Sequence, residues 1–225
     1  QEVFQVSVVQ DAPVAFDRDA TLAKVVRLVH QAADLGSKLV VFPEVFFSGY
    51  PKRMDFGVQV GRRSPEGREW FRRYWEGSVE IPGVETTVLA NLAKERQIYL
   101  VIGVTERSGS TLYCTVLGFG VDGQIILKHR KVMPTAMERV GWGFGDGSTL
   151  GGVPTPLGKL GAVICWENYM PLLRTAMYAQ GIELYCAPTV DDRDTWLSTM
   201  QHIALEGRCF VISACQFACC SDYPG

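Results

Sequence analysis

Three short apolar runs in this chain of 225 residues each deliver a side chain able to do chemistry. KLVVFP at 38–43 is followed at once by Glu44, the β-rich run at 124–130 by Lys131, and LGAVIC at 160–165 closes on Cys165. The first run has no polar alternation and the third is a short apolar stretch, the pattern of strands covered on both faces. Such strands need helices packed on them, which restricts the fold to the α/β class. Open α/β sheets gather their working residues at the carboxyl ends of strands.

Helical segments fit between the runs. Residues 3–9 read as a strand, and 17–35 carries a helical stripe through Leu22, Val25, Val26, Val29, Ala32 and Ala33 that Gly36 stops. Ser64-Pro65-Glu66 announces a second helix with a hydroxyl cap and a proline at the first helical position, and the Pro82-Gly83 break precedes a third at 84–96. Three β-rich runs follow at 98–107, 111–118 and 124–130, joined by the hairpin signals Ser108-Gly109 and Asp122-Gly123. Beyond a Gly-rich stretch at 141–152, a buried strand at 160–165 leads to a helix at 169–180 ended by Gly181, then strand, helix and strand at 183–187, 195–206 and 209–214. The pattern predicts a mixed sheet covered by helices, built as a single domain over residues 1–225.

Charge narrows the partners. With 22 Lys+Arg against 24 Asp+Glu the chain carries a net charge of −2, which provides no basic field for a phosphate backbone, so nucleic acid is not an expected partner. Apolar runs such as 99–104 fall far short of the roughly 20 residues a membrane-spanning helix needs, and no secretory leader is visible. Seven cysteines, an odd number scattered through apparent strands, do not form a disulfide framework, and they point to a reducing, cytoplasmic setting.

Each of the three side chains taken alone reads more readily as a rim charge or an inert core thiol than as a catalytic group. Together they are chemically complete. A thiol with its ordinary pKa is mostly protonated at neutral pH, so a reactive cysteine needs a base or a positive neighbour; Glu44 supplies the first and Lys131 the second. A cation beside the reacting centre also stabilises negative charge developing on the substrate. A Cys/His protease dyad would need His30, His129 or His202, and no sequence feature sets any of them beside Cys165.

Other motifs carry less. GWGFGDG at 141–147 follows a polar segment rather than a strand and opens no helix, so it reads as an active-site or surface loop rather than a phosphate loop. Cys215, Cys219 and Cys220 lack paired metal-ligand spacing, and Asp191, Asp192 and Asp194 read as capping residues for the helix that follows them. No metal and no cofactor is expected.

VFPEVFFSGYP (41–51), HRKVMPTAMERVGWGFGDG (129–147) and CWENYMPLLRTAMYAQG (165–181) resemble, in order, the three signature segments of the nitrilase superfamily. The likeness continues through YCAPTVDDRDTW (185–196) and HIALEGRCFVISACQF (202–217), and the Cys-Trp-Glu-Asn context is similar to the nitrilase branch. The resemblance implies a four-layer αββα sandwich in which Cys165 is the nucleophile, Glu44 the general base, Lys131 the cation that stabilises the intermediate, and Glu138 a second glutamate orienting Lys131 and substrate. It implies that the Trp166 N–H completes the oxyanion-type site, and that nitriles are hydrolysed to carboxylic acid and ammonia through a Cys thioimidate and thioester. Tyr50, Trp166 and Trp196 are core or rim packing on one reading and a pocket wall on the other. The substrate-binding set is taken as Trp166, Tyr50 and Thr189, with the loops at 50–63 and 189–196 setting pocket size.

An amidase or a nitrile or cyanide hydratase of the same fold would use the same Glu, Lys and Cys, and a non-catalytic assembly protein would keep only the fold. The resemblance further implies homodimers that extend into spiral oligomers. The helix at 169–180 is the expected dimer face, with Met170, Leu172, Leu173 and Met177 supplying either that contact or the core of their own subunit. The family continues beyond the position where this sequence stops, so either further residues follow or the usual C-terminal extension is lacking, and only in the second case is an exposed sheet edge expected.

Overall fold

A computed structural model describes residues 3–223. The chain runs β1 (Gln5–Val8), α1 (Arg18–Asp34), β2 (Ser37–Val41), α2 (Pro65–Glu76), β3 (Val79–Glu80), α3 (Val84–Arg96), β4 (Tyr99–Ser108), β5 (Thr111–Phe119) and β6 (Ile125–Arg130). After a 3-10 turn at Ala136–Val140 come β7 (Gly152–Thr155), β8 (Gly158–Ala162), a second 3-10 turn at Cys165–Tyr169, α4 (Pro171–Ala179), β9 (Leu184–Cys186), α5 (Asp194–Gly207) and β10 (Phe210–Ile212).

Local chemistry starts the helices where the sequence marks them. Asp17 accepts the Ala20 N–H at the head of α1, and Ser64 accepts the Gly67 N–H at the head of α2 with Pro65 in its first turn. The acidic run before α5 behaves differently. Arg193 stands at the cap with no side-chain bond, and Asp191 instead pairs with the Arg193 guanidinium. An arginine two residues away offers a carboxylate a stronger, charge-assisted partner than a cap does.

The strands form two sheets rather than one. In the first, ordered β1-β2-β4-β5-β6 with β3 beside β4, the β1, β2 and β4 strands are parallel and the meander β4-β5-β6 is antiparallel. The second is ordered β10-β9-β8-β7, parallel except for β7. Alternation along the strands produces the layers. Leu39, Val41, Tyr99 and Val101 turn inward to meet Leu160, Ala162, Leu184 and Cys186 of the other sheet. On the far face Val40, Leu100 and Ile102 pack with Val25 and Val29 of α1 and Leu89 and Leu92 of α3. Leu173 and Met177 of α4 and Met200 and Ile203 of α5 cover the second sheet. Helix, sheet, sheet, helix is the expected αββα sandwich.

That layering settles where the α4 residues go. Leu173 and Met177 are buried in their own subunit and Met170 packs partly against them, which leaves Leu172 exposed on the outer face. The β7 strand escaped sequence reading because glycine, proline and threonine give it no apolar signature.

Two central strands end in matching ways. β2 stops at Val41 and β8 at Ala162, so Glu44 and Cys165 each lie three residues beyond a strand rather than directly on its end. The tails stay tied to the neighbouring strands through Phe42 N–H to Val101 O at 2.8 Å and Val163 N–H to Cys186 O at 3.1 Å. Gly103 makes the first crossing feasible: a Cβ there would lie 2.4 Å from Pro43 O and 2.7 Å from Glu44 Cα, so a side chain would push the Glu44 segment off β4.

Glu106 pins the meander. Its carboxylate takes Arg130 Nε at 2.9 Å, Arg130 Nη2 at 2.6 Å, Lys128 Nζ at 2.6 Å and Thr115 Oγ1 at 2.8 Å. Burial works to raise this carboxyl, but its hydrogen bonds with Arg130, Lys128 and Thr115 outweigh it and hold the group below 4.5. A carboxyl lowered by folding stabilises above its unfolded pKa, and that contribution disappears as pH falls through the folded value. Glu106→Gln is therefore expected to cost about 2 kcal/mol at neutral pH. The gap from the parent in urea unfolding should narrow as pH falls below the ordinary carboxylate range; a gap independent of pH would mean that the ion pairs contribute nothing.

Candidate active site

Glu44, Lys131, Glu138 and Cys165 arrive from four segments at one end of the sandwich. Lys131 directly follows β6, and its backbone still pairs with β5 through Lys131 N–H to Cys114 O at 2.8 Å. Its own carbonyl accepts the Gly145 N–H at 2.8 Å, a contact that only glycine fits, since a Cβ at 145 would meet Arg130 O at 2.4 Å. The Trp142 ring lies 5.9 Å from Lys131 Nζ. The Gly-rich segment thus forms a loop that cradles the lysine.

Lys131 Nζ donates to Glu44 Oε1 at 2.7 Å and to Glu138 Oε2 at 2.8 Å, and all three side chains are almost wholly buried. Burial works to lower the lysine, but Glu44, Cys114, Cys165 and Glu138 outweigh it and hold the ammonium well above its ordinary value. Glu44 is displaced upward, mainly by burial, with the Glu138 charge adding to it and the Lys131 charge and Cys165 thiol opposing it. Glu44 Oε1 also takes the Cys114 thiol at 3.4 Å, whereas Oε2 is buried with no partner among the described residues. One carboxylate oxygen is thus anchored and the other is open.

Glu138 stands on the 3-10 turn at Ala136–Val140. Tyr50 donates its hydroxyl to Glu138 Oε1 at 2.8 Å and the Thr135 N–H reaches Oε2 at 2.6 Å, so the carboxylate is fixed from three sides.

Cys165 opens its 3-10 turn in the left-handed region, with φ of 48°. Val45 beside Glu44 and Ala136 near Glu138 are also left-handed, at 40° and 47°. Strain gathered on non-glycine residues at one place is a mark of functional sites. The Cys165 N–H is held by Pro188 O at 2.9 Å, and Thr189 donates its hydroxyl to Cys165 Sγ at 3.2 Å. Burial, and then the Glu44 charge, push the thiol up, while Lys131 and the Thr189 hydroxyl pull it down. The upward displacement favours the protonated thiol over the thiolate.

A cleft of about 420 Å³ opens over the sulfur, lined by Tyr50, Lys52, Glu138, Trp166, Asp191 and Arg193 among others. Trp166 is half-exposed, with the Arg193 guanidinium 5.4 Å from its ring. Thr189 touches the sulfur rather than the open cleft. Trp196 is buried in the α5 core and donates Nε1–H to Ser213 Oγ at 2.9 Å, so it is packing, not pocket wall.

Two buried groups here have no role assigned from the sequence, where His129 is set aside as a dyad partner and Glu167 enters only through the Cys-Trp-Glu-Asn context. Glu167 and His129 sit behind the cysteine and lysine, within 3.1 Å of each other. The signal was a glutamate two residues after the nucleophile in an apolar setting, where a lone carboxylate needs a partner.

No helix among the described residues is long and apolar enough to cross a membrane. The carbon-nitrogen hydrolase family model matches residues 5–223. An aliphatic nitrilase of Sinorhizobium fredii is 58% identical over 98% of this chain and 71% of its own length. The bifunctional nitrilase/nitrile hydratase NIT4A of Nicotiana tabacum is 57% identical over 97% of this chain, which spans 62% of that relative. Among solved structures, Nit3 of Saccharomyces cerevisiae, a member of the nitrilase superfamily, superposes with a TM-score of 0.74 at 26% identity, covering 95% of this chain and 75% of that one. A fold of two sheets between helices, a buried Glu-Lys-Cys cluster and these matches agree: the chain belongs to the carbon-nitrogen hydrolase family.

Proposed function

We propose that this chain is a nitrilase that converts organic nitriles to carboxylic acids and ammonia. The observation that carries the reading is the Lys131 ammonium held between Glu44 at 2.7 Å and Glu138 at 2.8 Å, with the Cys165 thiol opening on the same cleft. The names of the Sinorhizobium and tobacco relatives support a nitrile as substrate.

In this mechanism Glu44 takes the thiol proton and Cys165 Sγ attacks the nitrile carbon, giving a covalent thioimidate. Lys131 stabilises the charge developing on nitrogen. The Cys165 N–H is committed to Pro188 O, which leaves that of Trp166 for the substrate. Glu44, reprotonated by the first step, returns a proton to nitrogen and then activates water. Attack on the thioimidate gives a tetrahedral intermediate that expels ammonia, and a second water frees the acid from the thioester. Expulsion of the thiol instead would release an amide, and the tobacco relative's bifunctional name favours amide as a minor product. Tyr50 and Trp166 wall the substrate, while Thr189 steadies the sulfur. The chain acts as a single domain whose copies assemble, with exposed Leu172 on α4 and Leu197 and Leu205 on α5 as contact residues.

The test is a panel of aliphatic and arylaliphatic nitriles with ammonia, acid and amide quantified. Acid with stoichiometric ammonia is the expected result. Amide as the dominant product would make it a hydratase, and turnover of amides alone would make it an amidase.

A further inference from the structure

One buried carboxylate ties the segment before the nucleophile to the segment after the lysine. Glu167 Oε2 accepts the Ile164 N–H at 2.7 Å, one residue ahead of Cys165, and Oε1 accepts the Val132 N–H at 2.7 Å, one residue past Lys131. The two segments come from different sheets, through β8 and β6. His129 Nε2 spans both oxygens at 3.0 and 3.1 Å, and Thr149 Oγ1 lies 3.0 Å from the other ring nitrogen. Both Glu167 and His129 are completely or almost completely buried.

We propose that Glu167, backed by His129, is a positioning residue that sets Lys131 against Cys165. The inference rests on the roles given to those two residues above. The Ile164 N–H is buried and the Val132 N–H part-buried; donors drawn from water in this way need acceptors, and a carboxylate is the side chain with an oxygen for each. Charge assistance makes both tethers short and strong. His129 gives the carboxylate a third donor and completes a buried network with no polar atom of Glu167 left over. The consequence is chemical as well as structural. The direction in which the tetrahedral intermediate breaks down depends on where the Lys131 proton lies relative to sulfur and nitrogen, so the clamp sets the ratio of acid to amide as well as the rate.

Glu167→Gln keeps the volume but has only one acceptor oxygen, and its amide NH2 would face the other backbone N–H. One tether therefore breaks. The expected result is a fall in kcat on the order of 100-fold, the scale for misplacement of reacting groups by about 1 Å, with KM within about threefold and a product ratio displaced from the parent's. The rate of Cys165 carbamidomethylation, followed by peptide mapping because Cys219 and Cys220 are exposed thiols, should fall as well. Alkylation needs the thiol and its surroundings but no nitrile, so it reads the clamp even if the substrate assignment fails. A merely structural role would lower the folded fraction and leave the product ratio untouched.

A folded Glu167→Gln protein with parental kcat, product ratio and alkylation rate would overturn the proposal. If this variant does not fold, His129→Gln decides, since it retains both backbone tethers and loosens only their backing. A smaller fall in alkylation rate and kcat at unchanged KM supports the clamp, and parental values for both overturn it.

Discussion

Cys165→Ala is expected to lower turnover of nitriles by on the order of 10⁴-fold or more while leaving the fold standing. The two effects separate because of what the thiol does at rest. Its pKa is pushed up by burial and by the Glu44 charge, so at neutral pH the substitution removes a neutral group and no ion pair. Sγ is 3.2 Å from the Thr189 hydroxyl, which also accepts the Asp191 N–H at 2.9 Å and so keeps one partner. The loss is one small buried atom and one weak hydrogen bond, about 1 kcal/mol. The left-handed backbone at 165 is as strained for alanine as for cysteine. Activity assays beside thermal melts check both arms, and peptide mapping after nitrile incubation adds a third: the parent should show a transient adduct on Cys165 and the variant none. An alanine variant that retained ordinary turnover would remove Cys165 from the chemistry.

That outcome also tests how far one sequence can be read. Glu44, Lys131 and Cys165 were legible because each follows a strand whose apolar run is local information, and the family likeness covered the same stretches. Helices α1 and α3 were legible for the same reason, since their stripes and stop signals lie within a few residues of each other. What escaped depends on distance along the chain. Tyr50 meets Glu138 across 88 positions, and Glu167 meets His129 across 38. A carboxylate in a sequence shows neither its burial nor its partner. Asp191 illustrates the point from the other side: its place before a helix suggested a cap, and the guanidinium of Arg193 took it instead. Leu173 and Met177 are expected at a dimer face, with the core as the alternative, and covering the second sheet takes them into the core.

Lys131→Met should destabilise the protein by about 3–5 kcal/mol and abolish most activity, because it leaves two almost wholly buried carboxylates without the cation between them. In the parent, Lys131 is raised by its partners above an ordinary value of 10.5. A raised lysine stabilises fully below that unfolded value and loses its contribution only as pH climbs through the folded one, so at neutral pH the whole effect is present. The variant reverses the pH dependence of the site. Glu44 is already displaced upward by burial and by Glu138, and Lys131 is the main group opposing that rise. Without it the carboxyl rises further. A carboxyl raised by folding favours the native state below its unfolded pKa and disfavours it as pH rises through the folded value. The variant should therefore be least stable relative to the parent at alkaline pH and recover as pH falls and Glu44 takes up a proton. Activity should not recover with it, since a protonated carboxyl cannot supply the cation that stabilises charge on nitrogen, a loss of about 10²- to 10³-fold by itself. Urea unfolding of both proteins from acid to alkaline pH, with nitrile turnover measured beside it, checks the two halves separately. Parallel stability curves would mean that Glu44 and Glu138 do not depend on the lysine, and the ion-pair reading of the site would fall with them.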